Sequence, residues 1–345
     1  MAVVGGGLAG IAAALECADA GASVTLLESR TRLGGATFSV RRNGYWLDNG
    51  QHVALRCCTA YRAFLRRLGV ERLLEVQPRL RIPVLAPGGA TALLTRTSLP
   101  APLHLAGALL RYRHLTLSER LVAIRGADAL RSLDPEDSSL DSQTFGEWLR
   151  AHGQTDRTIS ALWNLIALPT LNLDADRASL LGAAKVFRTG LLDESDACDL
   201  AVPRVPLQEL HGDAGEAALR AAGVHVELGT VVTGIEAVET GLEIATPGAP
   251  VEADAVVVAV PHLVVAKIVP PGVVDETALD ALGESPIVNC HLHYDRRVLH
   301  EPFAAAVDSP VQWLFDRTRS SGVAEGQLVS ISLSGADGEV RLPRD

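Results

Sequence analysis

The spacing of apolar positions changes twice within the first 27 residues, from that of a strand to that of a helix and back. Ala2-Val3-Val4 predicts a short buried strand, and after a run of glycines the apolar spacing of residues 11–20 predicts a helix that ends at Gly21. Residues 23–27 then predict a second strand. Strand, helix and strand in this order predict a β-α-β unit, the building block of an α/β fold with parallel strands.

The later pattern predicts helices in the middle of the chain and strands towards its end. Residues 79–84 and 92–95 predict a hairpin because Pro87-Gly88-Gly89 separates them. Helical spacing of apolar residues covers 99–131 and 145–184. The remaining predictions are a short helix at 214–222, strands at 224–228 and 231–235, a buried parallel-type strand at 252–260, and sheet strands within 287–294 and 311–334.

Composition changes this picture only by excluding classes of protein. The 345 residues are 48% apolar, enough to bury the cores of two domains. A formal charge of −10 repels phosphate, so we expect no nucleic-acid partner. The five cysteines are scattered without a C-x-x-C pair, which favours a cytoplasmic location and no metal site. No apolar run reaches the roughly 20 residues of a membrane span, and no signal peptide is recognised.

The strongest chemical signal is the glycine run between the first predicted strand and helix. Gly5-Gly6-Gly7-Leu8-Ala9-Gly10 is a G-x-G-x-x-G motif in the context that a dinucleotide site requires. We expect Gly5 to allow the tight turn, Gly7 to let a diphosphate approach the backbone, and Gly10 to allow close packing of the helix on the sheet. Glu28, at the end of the second strand, is the predicted ligand of a ribose.

The segment after the second strand indicates which dinucleotide is bound. Glu28-Ser29-Arg30-Thr31-Arg32-Leu33-Gly34-Gly35 resembles the extended fingerprint of the amine oxidase and phytoene desaturase flavoproteins. The resemblance implies FAD rather than NAD as the cofactor, with Glu28, Ser29, Arg30, Leu33, Gly34 and Gly35 in its site. It also implies that Val231 and Val232 lie beside the adenine. Many of these flavoproteins have an arginine after the glycine pair, whereas this chain has Ala36-Thr37.

Five further blocks narrow the resemblance to one family. They are Asp48-Asn49-Gly50-Gln51-His52 and the segments 162–172, 186–192, 285–289 and 307–317. In these blocks the chain is similar to hydroxysqualene dehydroxylase, also called squalene-associated FAD-dependent desaturase, of squalene and hopanoid biosynthesis. The resemblance implies that reduced FAD removes the hydroxyl of hydroxysqualene and gives squalene. It also implies a polyprenyl lipid substrate and an electron donor that reduces FAD.

This resemblance and the pattern together predict an α/β protein with a discontinuous Rossmann-like FAD-binding domain and an α+β substrate domain. The predicted FAD-binding parts are residues 1–85 and 203–270. A mostly helical substrate or cap domain covers 86–202, and an incomplete substrate-domain sheet covers 271–345. The family usually closes with a glycine-acid motif, whereas this sequence ends at Leu342-Pro343-Arg344-Asp345. We therefore expect a member that is truncated at its C-terminus and has a weakened affinity for FAD.

Candidate catalytic residues follow from the mechanism that the resemblance implies. An allylic hydroxyl must be protonated before it leaves, so an acid is needed beside the hydride donor. The resemblance puts Asp48, Gln51 and His52 near the flavin, although Asp-Asn-Gly is also a common turn and His52 has a structural interpretation. Asp308 and Asp316 are weaker candidates, for which an ion-pair role is favoured.

Two questions stay open at the level of sequence. The apolar residues 102–110, followed by Arg111-Tyr112-Arg113-His114, suit either a peripheral contact with the inner face of the membrane or a solvated helix end. The function has three interpretations: the dehydroxylase, another flavin oxidoreductase of the same fold such as a carotenoid desaturase or amine oxidase, and an inactive truncated chain.

Overall fold

The computed structural model of the chain describes residues 1–343. Arg344 and Asp345, on which part of the expectation of a truncated C-terminus rests, lie outside the described residues. The strands, in chain order, are β1 (Ala2–Val4), β2 (Thr25–Glu28), β3 (Ser39–Arg42), β4 (Tyr45–Asp48), β5 (Ala54–Leu55), β6 (Leu74–Val76), β7 (Arg81–Leu85), β8 (Thr91–Thr95), β9 (Leu200–Pro203), β10 (His225–Leu228), β11 (Gly234–Val238), β12 (Gly241–Ala245), β13 (Val251–Ala253), β14 (Val256–Val258), β15 (Val288–Tyr294), β16 (Phe303–Ala306), β17 (Trp313–Asp316) and β18 (Gln327–Leu333).

The α-helices lie mostly between these strands. They are α1 (Leu8–Asp19), α2 (Thr59–Arg67), α3 (Leu103–Leu110), α4 (Leu117–Arg131), α5 (Phe145–Ala151), α6 (Asp156–Thr158), α7 (Asn164–Leu171), α8 (Leu180–Phe187), α9 (Ala214–Ala221), α10 (His262–Ile268), α11 (Glu276–Ala281) and α12 (Thr318–Ser321). Turns of the wider π type cover Ile159–Trp163, Arg188–Leu192 and Gln208–Asp213.

The described chain separates into two compact units, each assembled from distant stretches. Unit 1 comprises residues 1–49, 60–74 and 203–284, and unit 2 comprises 50–59, 75–202 and the chain from Ser285 onward. The predicted α/β class is confirmed by this mixture of a parallel sheet with helices. The four predicted domain segments stay predictions.

Unit 1 is built on a parallel sheet with the strand order β10-β2-β1-β14. The predicted β-α-β unit is present, since α1 connects β1 to its parallel neighbour β2. Ile11 and Leu15 of α1 are fully buried against Val3 and Leu26 of the sheet. Burying one such side chain contributes roughly 1.5–3 kcal/mol, so this face fixes the helix against the strands.

Two predicted strands of unit 1 differ from the structure because the sequence does not show which sheet a strand joins. The strand predicted at 231–235 begins only at Gly234, where β11 joins the antiparallel sheet β11-β12-β13. The apolar run at 252–260 is not one strand. Its first part, β13, pairs with β12, and its second part, β14, pairs with β1 and is half-buried.

Unit 2 contains a six-stranded sheet in the order β15-β18-β17-β16-β7-β8. The predicted hairpin is its β7-β8 pair, and Gly88 and Gly89 turn the chain with φ values of 78° and 82°. Helices α4 and α5 begin with capping boxes, formed by Thr116 with Glu119 and by Thr144 with Glu147. Each box satisfies N–H groups that a helix start leaves free, so the sequence sets both start points.

Candidate functional site

The glycine loop of unit 1 contains positions where protein packing itself requires glycine. Gly5 has a φ of +104°, and a Cβ placed on it would lie 2.4 Å from the carbonyl oxygen of Ala259. A Cβ on Gly10 would lie 1.8 Å from the carbonyl oxygen of Gly5. Both distances are far shorter than a van der Waals contact, so these glycines hold the first turn of α1 against the loop.

Gly7 differs from these positions, because neither its conformation nor its surroundings require glycine. Its φ and ψ are −73° and −179°, which any residue adopts. A Cβ on Gly7 would meet only the Cα atom of Gly35, at 3.9 Å. The space in front of Gly7 is therefore open, as the close approach of a diphosphate requires. This glycine fits the expected FAD and has no packing explanation.

The second glycine pair lies directly beside the first loop. The Gly34 amide donates to the carbonyl oxygen of Gly6 at 2.9 Å. Gly35 approaches Gly7 so closely that a Cβ on it would lie 2.9 Å from the Cα atom of Gly7. Leu33 is buried, and its Cδ2 atom would lie 2.5 Å from a Cβ on Gly6. The structure thus brings together two motifs that the sequence separates by more than 20 residues.

Glu28 ends β2 with its carboxylate turned towards the glycine loop. The side chain is buried, and its Oε2 atom accepts the Gly6 amide at 2.6 Å. Its Oε1 atom accepts the Arg30 amide at 2.7 Å and the Ser29 hydroxyl at 3.1 Å. These bonds fix the carboxylate and leave acceptor capacity for a further donor, because a carboxylate offers about four lone-pair sites.

The start of α1 offers amides to a ligand. No side chain caps this helix, and its first N–H groups, which include those of Leu8 and Ala9, have no partner within a helix. The positive end of the helix dipole adds to their attraction for an anion. The open space in front of Gly7 therefore lies at the N-terminus of this helix, beside the amides of Leu8 and Ala9.

Val231 and Val232 lie in the irregular segment between β10 and β11. On either side, Thr230 donates to the carbonyl oxygen of Glu28 and Thr233 to that of Ala245, both at 2.9 Å. Within residues 1–343, neither valine makes a backbone–backbone hydrogen bond. Their amide and carbonyl groups are thus available, as adenine recognition by the backbone would require.

Two contributors to this region were missed by sequence reasoning. Arg32 donates to the Gly35 carbonyl oxygen at 3.1 Å, and its guanidinium lies 3.6 Å above the Phe38 ring. Gly212, in the turn Gln208–Asp213, packs on the pair, since a Cβ on Gly34 would lie 3.5 Å from the Gly212 amide nitrogen. A glycine just before the predicted helix at 214–222 was the only available signal for the second.

The three candidate catalytic residues lie in different surroundings. Asp48 belongs to unit 1 and is buried, and its Oδ1 atom accepts the Ser39 hydroxyl at 2.6 Å and the Leu207 amide at 3.0 Å. These contacts tie together three segments of unit 1. A catalytic role for Asp48 stays a prediction, and its geometry already gives it a structural role.

Gln51 and His52 belong to unit 2. The Gln51 Nε2 atom is buried and has no hydrogen-bond partner in the described chain. A Cβ on Gly50 would lie 3.5 Å from both the His52 Nε2 and the Asn289 Nδ2 atoms. The structure therefore brings His52 close to Asn289, which lies in another of the resembling blocks and was not predicted as a site residue. The side chain of His52 itself is exposed.

The other polar candidates have structural partners within unit 2. Asp308 forms an ion pair with Arg157, and this hydrogen-bonded contact lowers the pKa of the Asp308 carboxyl. Asp316 accepts hydrogen bonds from Thr318 and Gln327. A structural role therefore explains both aspartates better than a catalytic one.

An apolar cavity of about 430 Å³ lies inside unit 2. Its walls come from β5, β7, β8, β9, β17 and helices α3, α4 and α7, with leucine, isoleucine and alanine predominating. Trp163 and Trp313 line it as well. Of the lining residues in the described chain, Asp128 is the one acidic residue, and its side chain is 81% exposed. The interior is therefore suited to hydrocarbon.

A buried carboxylate beside this cavity stabilises its wall. Asp199 is fully buried and accepts hydrogen bonds from Arg56, Arg96 and the Leu80 amide, the last at 2.7 Å. Burial opposes ionisation of Asp199, but the bonds from the two arginines outweigh it and lower the pKa of this carboxyl. Asp199 therefore links, as an anion, the residues that directly adjoin β5, β7 and β8.

Exposed leucines surround the segment that the sequence singles out for membrane contact. Leu103 and Leu110 of α3 are 55% and 44% exposed, and Arg111 and Arg113 are exposed beside them. Tyr112 and His114 are buried, so only the two arginines of the predicted basic and aromatic cluster lie at the surface. Across residues 1–343, no helix combines the length and apolarity needed to cross a bilayer.

Comparison with known proteins identifies the family of the chain. The model of the family described as flavin containing amine oxidoreductase matches residues 8–342. Zeta-carotene desaturase of Solanum lycopersicum is 32% identical over 197 residues, which cover 54% of this chain and 34% of that protein. The 15-cis-phytoene desaturase of Glycine max is 26% identical over 318 residues, or 86% of this chain and 54% of that protein. The chain thus matches about a third to a half of the length of these relatives.

Solved structures show the same fold. A putrescine oxidase bound to putrescine has a TM-score of 0.70 at 22% identity and covers 99% of this chain and 77% of its own. An oxidoreductase from Methanosarcina mazei has a TM-score of 0.74 at 14% identity, with 98% and 80% covered. The family match confirms the expected cofactor, FAD.

Proposed function

Because the chain belongs to the family of flavin-containing amine oxidoreductases, we propose that it is an FAD-dependent oxidoreductase that converts hydroxysqualene to squalene. The observation that carries the choice of a polyprenyl lipid is the apolar cavity of unit 2. The choice of hydroxysqualene within that class rests on the resembling blocks around Gln51, Leu165, Phe187, Asn289 and Trp313.

Unit 1 holds the nucleotide part of FAD in this proposal. The amides of Leu8 and Ala9 at the start of α1 would donate to the diphosphate across the open space at Gly7. Glu28 accepts the ribose hydroxyls with the lone pairs that its bonds to the backbone leave free. The free backbone groups of Val231 and Val232 recognise the adenine. Bound and reduced, FAD supplies the hydride of the reaction.

Unit 2 binds the hydrocarbon. The cavity of about 430 Å³ falls in the size range of ligand pockets, and its apolar walls suit a hydrocarbon chain. Each buried CH₂ contributes about 0.8 kcal/mol to binding. A dry apolar wall also excludes water, which would otherwise capture an allylic cation.

The departing hydroxyl needs a proton, and the polar segment 50–52 is the proposed source. The hydroxyl leaves as water when it receives one proton, and the carbon receives the hydride, so the reaction is balanced. His52 is the stronger candidate donor because Asp48 already accepts two hydrogen bonds within unit 1. Gln51 has a buried amide without a partner and would position the hydroxyl oxygen.

A second candidate, carotenoid desaturation, is supported by the 32% identity to a zeta-carotene desaturase. The same cavity would hold a carotenoid arm, and FAD would act as the oxidant instead of the reductant. Oxidation of an amine fits less well, because a cationic substrate needs a buried anion, whereas Asp128 is exposed and the buried Asp199 is already paired with Arg56 and Arg96.

Access of such a lipid from a membrane surface is part of the proposal. Pro102 and Leu103 line the cavity, and Leu103 is also exposed, so one end of the cavity reaches the surface at α3. Arg111 and Arg113 would rest on anionic headgroups, each contributing about 1 kcal/mol. The double variant Arg111→Glu with Arg113→Glu should reduce co-sedimentation with anionic liposomes. Unchanged co-sedimentation would contradict this part.

The substrate assignment is tested by product analysis. The FAD-reconstituted chain is incubated anaerobically with hydroxysqualene and a reductant, and separately with zeta-carotene and oxidised FAD. We expect squalene from the first mixture and no desaturated product from the second. The reverse result establishes the desaturase, and a colourless chain that cannot be reconstituted with FAD establishes the inactive form.

A pair of variants connects the activity to the cavity. Ala127→Phe places a ring into the cavity from α4, whereas Leu121→Phe enlarges an exposed residue of the same helix that does not line it. We expect the first to raise KM for hydroxysqualene at least tenfold and the second to leave it unchanged. Equal KM values in both variants would remove the cavity from the proposal.

A further inference from the structure

Three thiols lie together where β5 meets β9 in unit 2. Leu55 pairs with Leu200 in the antiparallel register of these strands. The same register continued by two residues brings Cys57 opposite Cys198, and the Cys57 amide donates to the Ala197 carbonyl oxygen at 3.3 Å. Cys58 follows directly, so three of the five cysteines of the chain share one corner of unit 2.

The contacts make the three sulfurs chemically unequal. The Cys58 Sγ atom accepts the Leu55 amide at 3.4 Å and also the thiol of Cys57. The hydrogen bond from Cys57 lowers the pKa of Cys58 to about 6, and it raises the pKa of Cys57. Burial raises the pKa of Cys198 to about 11. Of the three thiols, Cys58 is therefore the one whose contacts favour the thiolate.

We propose that Cys57 and Cys58 form a thiol–disulfide redox pair that reacts with hydroperoxides. The Cys58 thiolate attacks one peroxide oxygen, so the O–O bond breaks and, with hydrogen peroxide and one proton, water and a Cys58 sulfenic acid result. The Cys57 thiol then attacks the Cys58 sulfur, an S–S bond forms, and a second water leaves. Two thiols are oxidised and one peroxide is reduced, which balances the electrons.

The position of Cys57 and Cys58 favours reaction with peroxide at this pair over reaction at the other cysteines. Cys57 and Cys58 are half-buried, whereas Cys198 is buried and protected from a first attack. Both belong to a turn that the Cys58 amide closes on the Leu55 carbonyl oxygen at 2.9 Å, so the peptide between them is outside helix and strand. Cys290 is exposed on β15 and has no such hydrogen-bonded thiol neighbour in the described chain.

Oxidation of this pair would take place directly beside residues that form the cavity wall. Leu55, Cys198 and Leu200 all line the cavity, and they flank the turn on both strands. The inference goes beyond the proposed function and does not depend on it, because the thiol chemistry is read directly by mass and not by turnover.

The test is peptide mapping of the full FAD-loaded chain after treatment with one equivalent of hydrogen peroxide. Free thiols are blocked with iodoacetamide before trypsin digestion. Cleavage after Arg56 and Arg62 gives one peptide that contains both Cys57 and Cys58, whereas Cys198 lies on another. We expect most of the first peptide to escape alkylation and to lose the mass of two hydrogens, while Cys290 remains alkylated.

Matched variants assign the roles of the two sulfurs. Cys57→Ser should leave a Cys58 sulfenic acid that dimedone traps, and Cys58→Ser should abolish reaction at this peptide. Cys290→Ser is the control and should leave the disulfide yield unchanged. The proposal is overturned if Cys290 is oxidised while the pair stays reduced. It is equally overturned if a cross-link to the Cys198 peptide replaces the internal one.

Discussion

Replacing Gly7 with serine separates the binding of FAD from the folding of the glycine loop. Gly7 is the N-cap of α1, and serine is among the best N-cap residues. Its Cβ would lie 3.9 Å from the nearest protein atom outside its neighbours, so Gly7→Ser costs the fold nothing. The matched variant Gly10→Ala adds only a methyl group, but this group would lie 1.8 Å from the Gly5 carbonyl oxygen.

The two variants should therefore affect different quantities: Gly10→Ala the stability of the chain, and Gly7→Ser the binding of FAD. Overpacking of this sort costs typically 1–3 kcal/mol, so Gly10→Ala lowers the free energy of unfolding of the FAD-free chain by about that amount. Gly7→Ser leaves it unchanged or raises it by a few tenths of a kcal/mol. If the serine displaces one charge-assisted hydrogen bond to the diphosphate, about 1.5–3 kcal/mol of binding is lost, or roughly 10- to 150-fold in Kd.

Both quantities are measurable on one preparation. Urea unfolding of the FAD-free variants gives the stability, and quenching of flavin fluorescence on titration gives the Kd. The reasoning is refuted if Gly7→Ser binds FAD as tightly as the parent chain. It is also refuted if Gly7→Ser destabilises the apo chain as much as Gly10→Ala does.

Three further predictions concern the carboxylates and the proton donor. Glu28→Ala should raise the Kd for FAD tenfold or more and, because two amides lose their acceptor, lower the stability of the apo chain by about 1–3 kcal/mol, both read from the same titrations. Asp199→Asn should cost about 3–5 kcal/mol in urea unfolding, since Arg56 and Arg96 lose a buried anion. The lowered pKa of Asp199 also determines how its contribution to the free energy of unfolding changes with pH. Its contribution is present above the unfolded-state value near 3.9 and is lost as pH falls through the lower folded value, so the acid branch of the stability curve should be shallower in Asp199→Asn. His52→Gln should lower kcat by about 10²- to 10⁴-fold with little change in FAD affinity, and an unchanged kcat would exclude His52 as the acid.

The local parts of the fold could be predicted because they depend on neighbouring residues. Residues 2–28 carry the β-α-β period, and Gly5 and Gly10 have conformational or packing reasons that a motif encodes. The capping boxes at Thr116 and Thr144 likewise mark helix starts within four residues. For the capping boxes the neighbouring residues contain the whole physical cause, whereas Gly5 also depends on the approach of Ala259.

Features that join distant segments could not be predicted in the same way. The apolar run at 252–260 has one composition, yet β13 and β14 join different sheets, because pairing partners decide where a strand breaks. His52 and Asn289 approach each other from positions more than 200 residues apart. The cavity and the Cys57–Cys198 register are also long-range products of packing, and no local pattern signals them.

The most direct test of the central claim is an anaerobic single-turnover measurement on the chain loaded with reduced FAD. Mixing with hydroxysqualene is followed by flavin absorbance while the product is quantified by mass spectrometry. We expect the flavin to reoxidise and one squalene to appear for each flavin. A flavin that stays reduced beside unchanged hydroxysqualene would contradict it.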